Sequence, residues 1–272
     1  MTDMHKKPII IASPDNRTFK ALCKLTDARR LKKHDRTLVS GAKLVRELVY
    51  ERPGECCSLI ICDGFQRPGM DDVVQQFAGQ GNLTVLKRGL FSQLDMFNTG
   101  APLLEVMAPG IPQWDCRLTG QGCMLALPFQ DPVNVGAAAR SAAAFGVRQV
   151  VLLREAASPF HPKSVRASGG AVFKLSFFRG PSLAEVVQLP DVARRIVALD
   201  MQGASILQFS FPPQFLLLPG IEGQGLPEEL RRHAVSIPMP GSVESLNAAT
   251  AVSIALFCWS TGKTSCCSKI LR

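Results

Sequence analysis

The stretch "SIPMPGSVESLNAATAVSIALF" (236–257) begins as a short apolar strand, breaks into proline, glycine and serine, and ends as a helix of small apolar residues. A strand that passes through a tight loop into a helix is the repeating unit of a parallel sheet covered by helices. The break sets Ser245 and Asn247 around Leu246, where a helix predicted over 246–259 begins. A polar side chain at such a point either caps the helix or holds something. Ser245 suits the cap. Asn247, one step inside an apolar helix, is harder to satisfy locally, because a buried amide needs partners.

Two earlier stretches share this arrangement, "LALPFQDPVNVGAAAR" (125–140) and "FLLLPGIEGQGL" (215–226). Each runs an apolar strand into a loop of glycine, proline or small polar residues. In parallel α/β sheets, ligands bind where such loops gather, at the carboxyl ends of the strands. Asn134 either caps the helix that follows or lines a site. Arg140, more than a turn further on, is either a solvent-facing arginine on a packed helix or a clamp for a phosphate. Glu222 is either a turn carboxylate or part of the same site. Gly220, Gly223 and Gly225 reverse the dinucleotide-binding spacing, and "TGKT" (261–264) lacks the upstream glycine of a phosphate loop.

Outward from these loops, the second half alternates strands (123–129, 147–153, 195–200, 215–220, 235–239) with helices (134–146, 161–172, 183–190, 246–259). Residues 19–110 read as a smaller α/β unit. It has a basic helix from Phe19 to about Lys33, strands at 36–41, 57–64, 82–89 and 102–110, and helices at 42–51, 71–79 and 91–97. Residues 1–18, with Pro8 and Pro14, read as a flexible leader, and 111–122 as a linker rich in turn formers. The expectation is therefore an α/β chain with a mostly parallel sheet over 123–272, preceded by the smaller α/β domain.

The 272 residues are 46% hydrophobic and 19% charged, enough to bury a sizeable core. No apolar run reaches the ~18 residues of a bilayer span, and "MTDMHKKPII" lacks the apolar core of a secretion signal. A cytoplasmic protein without membrane partners is expected. The nine cysteines include the adjacent pairs Cys56-Cys57 and Cys266-Cys267 and no C-x-x-C, which points to free thiols and no metal. Of a net charge of +9, most lies in residues 1–52, with thirteen Lys or Arg against six Asp or Glu. "KLTDARRLKKHDR" (24–36) is the densest part, and its Arg29, Arg30, Lys32, Lys33 and Arg36 are candidates for contact with a phosphate backbone. The alternative is a solvated basic helix.

Taken together and in order, the three loops resemble the SpoU family of RNA 2′-O-ribose methyltransferases, the TrmH-like branch of the SPOUT superfamily. "DPVNVGAAARSAAAFG" (131–146) resembles the first family motif, "LLLPGIEGQGL" (216–226) the second and "IPMPGSVESLNAATAVSIALF" (237–257) the third. "HPKSVRASGGAVFKL" (161–175) is similar to the family's middle region, and "RTLVSGAKLVRELV" (36–49) more loosely to the L30e-like RNA-binding domain that often precedes it. The resemblance implies a C-terminal trefoil knot, an exception to unknotted topology. It implies S-adenosylmethionine held by the backbone around Leu218, Gly220, Ile237, Met239 and Leu246. It also implies a homodimer whose sites are completed across the interface. Arg140 would activate the ribose hydroxyl, with Asn134, Glu222, Ser245 and Asn247 ordering the loops and the sugar. A sulfonium is already an activated methyl donor, so no metal is required. Ribosomal RNA is favoured over transfer RNA by the separate recognition domain, an analogy only. The alternatives are a non-catalytic RNA-binding protein that keeps the fold and a nucleotide-dependent enzyme acting on small molecules. Departures from the pattern are Pro219 before the motif glycine, Ala248 where valine is common, and the tail 260–272.

Overall fold

A computed structural model describes residues 7–27, 35–116, 122–221, 225–232 and 234–267. The chain forms two compact units, one of residues 1–110 with 160–166, the other of 111–159 with 167–272.

The first unit is built on strands β1 (Ile9–Ile11), β2 (Arg36–Ser40), β3 (Cys56–Cys62), β4 (Leu83–Leu86) and β5 (Leu103–Met107). They lie in the order β1-β4-β3-β5-β2, with β1, β4 and β3 parallel and β5 antiparallel to both β3 and β2. Helix α1 (Arg17–Lys24) starts because the Asn16 side chain accepts from the backbone N–H of Thr18 at 2.8 Å and Phe19 at 3.3 Å. It turns Phe19 and Leu22 into a core with Ile11, Ile60 and Leu86. Helices α2 (Ala42–Glu51), α3 (Asp71–Gln80) and α4 (Arg88–Leu94) follow. Gly81 ends α3 in the left-handed region at φ 77°, which a glycine adopts without strain. In the segment Phe160–Arg166, Thr37 Oγ1 donates to the carbonyl of Phe160 at 2.6 Å and the Arg166 guanidinium stands 4.2 Å from the centre of the Phe97 ring.

Two features of this unit depart from the sequence reading. Ile9–Ile11, inside the stretch expected as a flexible leader, is a strand because it gains a parallel partner in β4, Ile9 opposite Thr84. The basic helix expected to reach Lys33 stops at Lys24. There the N–H groups of Leu25 and Thr26 fold back on the carbonyls of Leu22 and Cys23, and Thr26 Oγ1 bonds the Cys23 carbonyl at 2.9 Å. Arg29, Arg30, Lys32 and Lys33 lie outside the described residues.

The second unit has six parallel strands: β6 (Gly122–Leu127), β7 (Gln149–Leu152), β8 (Ser176–Arg179), β9 (Ile196–Ser205), β10 (Gln214–Pro219) and β11 (Ala234–Ser236). Their order is β11-β9-β10-β6-β7-β8. Every residue of the central strand β6 is buried, as expected of a parallel strand covered on both faces. The helices of this half are α5 (Pro132–Ala144), α7 (Leu183–Val187), α8 (Pro190–Ala193) and α9 (Ala248–Cys267), while α6 (Pro162–Ser168) lies mostly in the segment grouped with the first unit.

Helix α9 packs along α5 through small residues. Ala138, Ala142, Ala249 and Val252 are buried there, and the hydroxyls of Ser141 and Ser253 meet at 2.7 Å. The pairing of β9 with β11 is irregular. Ala234 stands opposite Ala198, but the next residue, Val235, stands opposite Ala204. The segment Leu199–Gly203 is thus turned out of that ladder. A Cβ on Gly203 would come within 2.6 Å of backbone atoms of Ala234 and Val235, so only glycine fits this approach. Among the described residues, no helix is long and apolar enough to cross a membrane.

Candidate active site

A cavity of about 750 Å³ opens at the carboxyl ends of β10 and β11, beside the middle of β9. Its walls come from Leu199–Met201, Pro219–Ile221, Gly225, Val235–Met239, the loop Ser245–Asn247, and Ala248 and Ala251 at the start of α9. The sequence explains the opening. Pro238 and Pro240 lack an N–H, so the chain cannot continue the β11 ladder and leaves the sheet. At Gly220 a Cβ would lie 3.3 Å from the Leu199 carbonyl oxygen, so the exit of β10 passes close to β9.

Of the five residues implied for methyl-donor contact, Gly220, Ile237, Met239 and Leu246 line this cavity. The side chain of Leu218 does not. Faces alternate along β10, and Leu218 falls on the face that joins Met124, Ala198 and Leu183 in the core, 1% exposed.

The amide of Asn247 ties the mouth of the cavity together. Its Oδ1 accepts from the backbone N–H of Ala249 at 2.9 Å and Thr250 at 3.2 Å, so Asn247, and not Ser245, caps α9. Helix α9 accordingly begins at Ala248, two residues later than expected. The Asn247 Nδ2 donates at 3.0 Å to Oδ1 of Asn134, which is 8% exposed in the first turn of α5. Asn134 does not cap α5. That role belongs to Asp131, whose carboxylate accepts from Val133 N–H at 2.9 Å, with Pro132 pre-set for the first turn. The two asparagines found far apart in sequence are therefore a single hydrogen-bonded pair joining the starts of α5 and α9.

Arg140 is exposed on α5 and does not line the cavity of its own chain. Its guanidinium lies against Gly169, where a Cβ would stand 3.9 Å from Cζ. Ser245 is exposed on the cavity wall, and Glu222 lies outside the described residues. Arg36 is committed to Glu105 across β2 and β5 at 3.0 Å, a hydrogen bond that raises the pKa of the guanidinium. Among the described residues, no group of three or more His, Cys, Asp or Glu is placed to hold a metal ion. Among the wall residues that the sequence reading missed, Asp200 is the one that carries a charge. Its signal was a lone carboxylate ending the apolar run "RIVALD" (195–200).

Residues 124–257 match the SpoU rRNA methylase family. That stretch, just under half of the chain, is a SpoU-family segment. A relative in Syntrophobacter fumaroxidans, a "Ribosomal RNA small subunit methyltransferase G 2", is 44% identical over 254 residues, covering 92% of this chain and 49% of its own length. A 23S rRNA (uridine(2479)-2′-O)-methyltransferase of Streptomyces viridochromogenes is 38% identical over 136 residues, or 46% of this chain and 47% of its own. The chain thus spans about half the length of the curated relatives it matches. Among solved structures, the SpoU methyltransferase AviRb of S. viridochromogenes in complex with AdoMet superposes with a TM-score of 0.72 at 25% identity, covering 92% of this chain and all (100%) of that one. An AdoMet-bound rRNA methyltransferase of Sinorhizobium meliloti shares the fold, with a TM-score of 0.72 at 23% identity over 93% of this chain and 97% of its own. The second and third loops line the cavity, the first reaches it only through the Asn134–Asn247 hydrogen bond, and all three fall inside the SpoU match.

Proposed function

We propose that this chain is a SpoU-family, S-adenosylmethionine-dependent RNA 2′-O-ribose methyltransferase acting on ribosomal RNA. The observation that carries the reading is the Asn134–Asn247 pair, which joins the helices of the first and third motifs at the rim of one cavity. The cavity's volume of about 750 Å³ lies within the range of ~300–1,000 Å³ usual for small-molecule sites, and its lining combines apolar side chains with a few polar groups. That lining fits an adenosyl group with a short polar tail. Gly220, Ile237, Met239 and Leu246 would hold it. When bound, S-adenosylmethionine supplies a methyl group on a sulfonium that needs no further activation.

The rest of the chemistry falls to the chain. A ribose hydroxyl must be held in place and its developing negative charge stabilised as it loses its proton. Asn134, Ser245, Asn247 and Glu222 would order the loops and the sugar. Arg140, through its planar guanidinium, would bind the adjacent phosphate and stabilise the alkoxide electrostatically. Its absence from its own chain's cavity favours a homodimer in which Arg140 of one protomer serves its partner's site. On the same reading the segment carrying the second and third motifs is knotted and the first unit is an L30e-like domain that grips RNA. Cys23, Cys56, Cys57, Cys62, Cys116, Cys123 and Cys258 form no disulfide, which fits a reducing cytoplasm.

The test is transfer of labelled methyl from S-adenosylmethionine to RNA of cells lacking the protein, with the products mapped for 2′-O-methylribose. Methylation at one site of ribosomal RNA is expected. Methyl incorporation into transfer RNA alone would reassign the substrate. Binding of RNA without binding of S-adenosylmethionine would overturn the enzyme in favour of an RNA-binding protein. Arg140→Lys keeps the charge but loses the planar fork, and a near-normal single-turnover rate in that variant would overturn the clamp role.

A further inference from the structure

The cavity wall carries a carboxylate that the three family motifs do not include. Asp200 ends the apolar run of β9 at the start of the segment Leu199–Gly203 that is turned out of the ladder with β11. Its side chain is 17% exposed. Two other contacts hold this segment in place. Ser236 Oγ donates to the Gly203 carbonyl at 2.9 Å, and Asp200 Oδ1 accepts from the Gln202 N–H at 3.0 Å. The nearest cation is Arg231, 3.7 Å from Asp200 Oδ2, but its Nε already donates to the Leu226 carbonyl at 2.7 Å. A carboxylate offers about four acceptor positions. Among the described residues Asp200 therefore has one short hydrogen bond and a loose ion pair, and it is the one carboxylate on the wall.

Such a group calls for a ligand with paired donors. Within S-adenosylmethionine these are the ammonium of the methionyl tail and the two hydroxyls of the ribose. The position of Asp200 in the sheet decides between them. The Asn134–Asn247 pair marks the reacting end, above the start of α5, which follows β6. Asp200 belongs to β9, and β10 lies between β9 and β6. Two strand spacings, roughly 10 Å, separate the two ends of the cavity. The reacting methyl and the nucleoside would then occupy opposite ends, with the nucleoside over β9. Resting on the reading of the cavity as a methyl-donor site, we infer that Asp200 anchors the bound donor by accepting hydrogen bonds from both hydroxyls of its ribose, as an acidic side chain does in dinucleotide-binding sheets.

The measurement is calorimetric affinity of the full chain, with no turnover involved. The wild-type protein is titrated with S-adenosylmethionine, with 5′-methylthioadenosine, which lacks the methionyl tail, and with 2′,3′-dideoxy-5′-methylthioadenosine. The dideoxy compound is expected to bind about tenfold to a hundredfold more weakly than its parent, the range of a charge-assisted hydrogen bond or two. Asp200→Asn, near in shape, should weaken S-adenosylmethionine and methylthioadenosine by the same factor and leave the dideoxy compound unchanged. If Asp200→Asn weakens S-adenosylmethionine alone, the carboxylate serves the ammonium and the assignment fails. Equal binding of the two thioadenosines to the wild-type protein overturns it without any variant. No binding of S-adenosylmethionine to the wild-type protein overturns the methyl-donor reading itself, and Asp200 with it.

Discussion

Asn247 carries two separable contributions, and its substitutions tell them apart. Its Oδ1 caps α9 through two backbone N–H groups, and its Nδ2 holds Asn134. Asn247→Ala removes both and is expected to lower stability by about 0.5–2 kcal/mol, the usual cost of a lost cap. Asn247→Asp restores the acceptor, and its charge is favourable at a helix N-terminus. It should recover most of that stability in a denaturant melt while single-turnover methyl transfer stays depressed. Recovery of both by Asp would show that the amide donor is unimportant. Gly203 gives a second prediction. A methyl group there meets the backbone of Ala234 and Val235, so Gly203→Ala should cost about 1–3 kcal/mol and weaken donor binding in calorimetry. A melt unchanged by that substitution would mean that the close approach is not maintained in solution. Much of the site was legible at this scale because loops that end strands advertise themselves by composition. Asn247 as the cap was not, since the choice between Ser245 and Asn247 depends on where the first helical turn falls. Asp200 was not legible either, because a lone Asp at a strand end is also an ordinary turn residue.

Most elements, several short ones among them, could be read from their own pattern, and two short strands could not. The buried runs of β3, β6 and β10 and the helices α2, α3 and α5 are continuous enough to declare their type. β1 and β8, with three and four residues, exist through their partners: Ile9 opposite Thr84, and Phe177 opposite Val150. No window along the chain contains that information. The reverse error occurred in α1, where apolar spacing continued past Lys24 although the chain did not. The α5–α9 seam supplies a prediction proper to elements. Ser141 and Ser253 meet at 2.7 Å, and each is also within reach of the carbonyl four residues earlier in its own helix, Ala137 at 3.3 Å and Ala249 at 2.8 Å, so two hydroxyl protons are shared among three contacts. Removing one hydroxyl leaves its partner with that local bond, so each single Ser→Ala change should be mild. A double-mutant cycle should give a coupling of about 0.5–1.5 kcal/mol. Ala142→Leu, which forces the two helices apart, should cost about 1–3 kcal/mol. A zero coupling together with a tolerated leucine would mean that the seam is loosely packed.

Charge is a property of the whole chain, and its consequence is measured on the whole chain. The net charge is +9 and the sequence pI about 9.3. Several basic side chains are neutralised locally, as in the pairs Lys20–Asp15, Lys87–Asp63 and Arg154–Glu185. Arg36, counted among the phosphate candidates, is likewise held by Glu105. The segment 28–34 contains Arg29, Arg30, Lys32 and Lys33 with no acidic residue among them, so its surplus is not cancelled within the segment. If these groups contact RNA phosphates, each contact releases condensed counterions, and the logarithm of affinity falls with that of salt by about 0.7 per contact on single strands. The full chain should therefore lose RNA affinity steeply between about 50 and 200 mM salt. Replacing the four residues by alanine should flatten that slope by as much as about 2.8, the value for four contacts. Arg36→Ala should change the slope little, because its charge is already spent on Glu105. An affinity independent of salt, or a slope unmoved by the fourfold change, would remove the basic segment from RNA recognition and leave binding to the cavity rim and its loops.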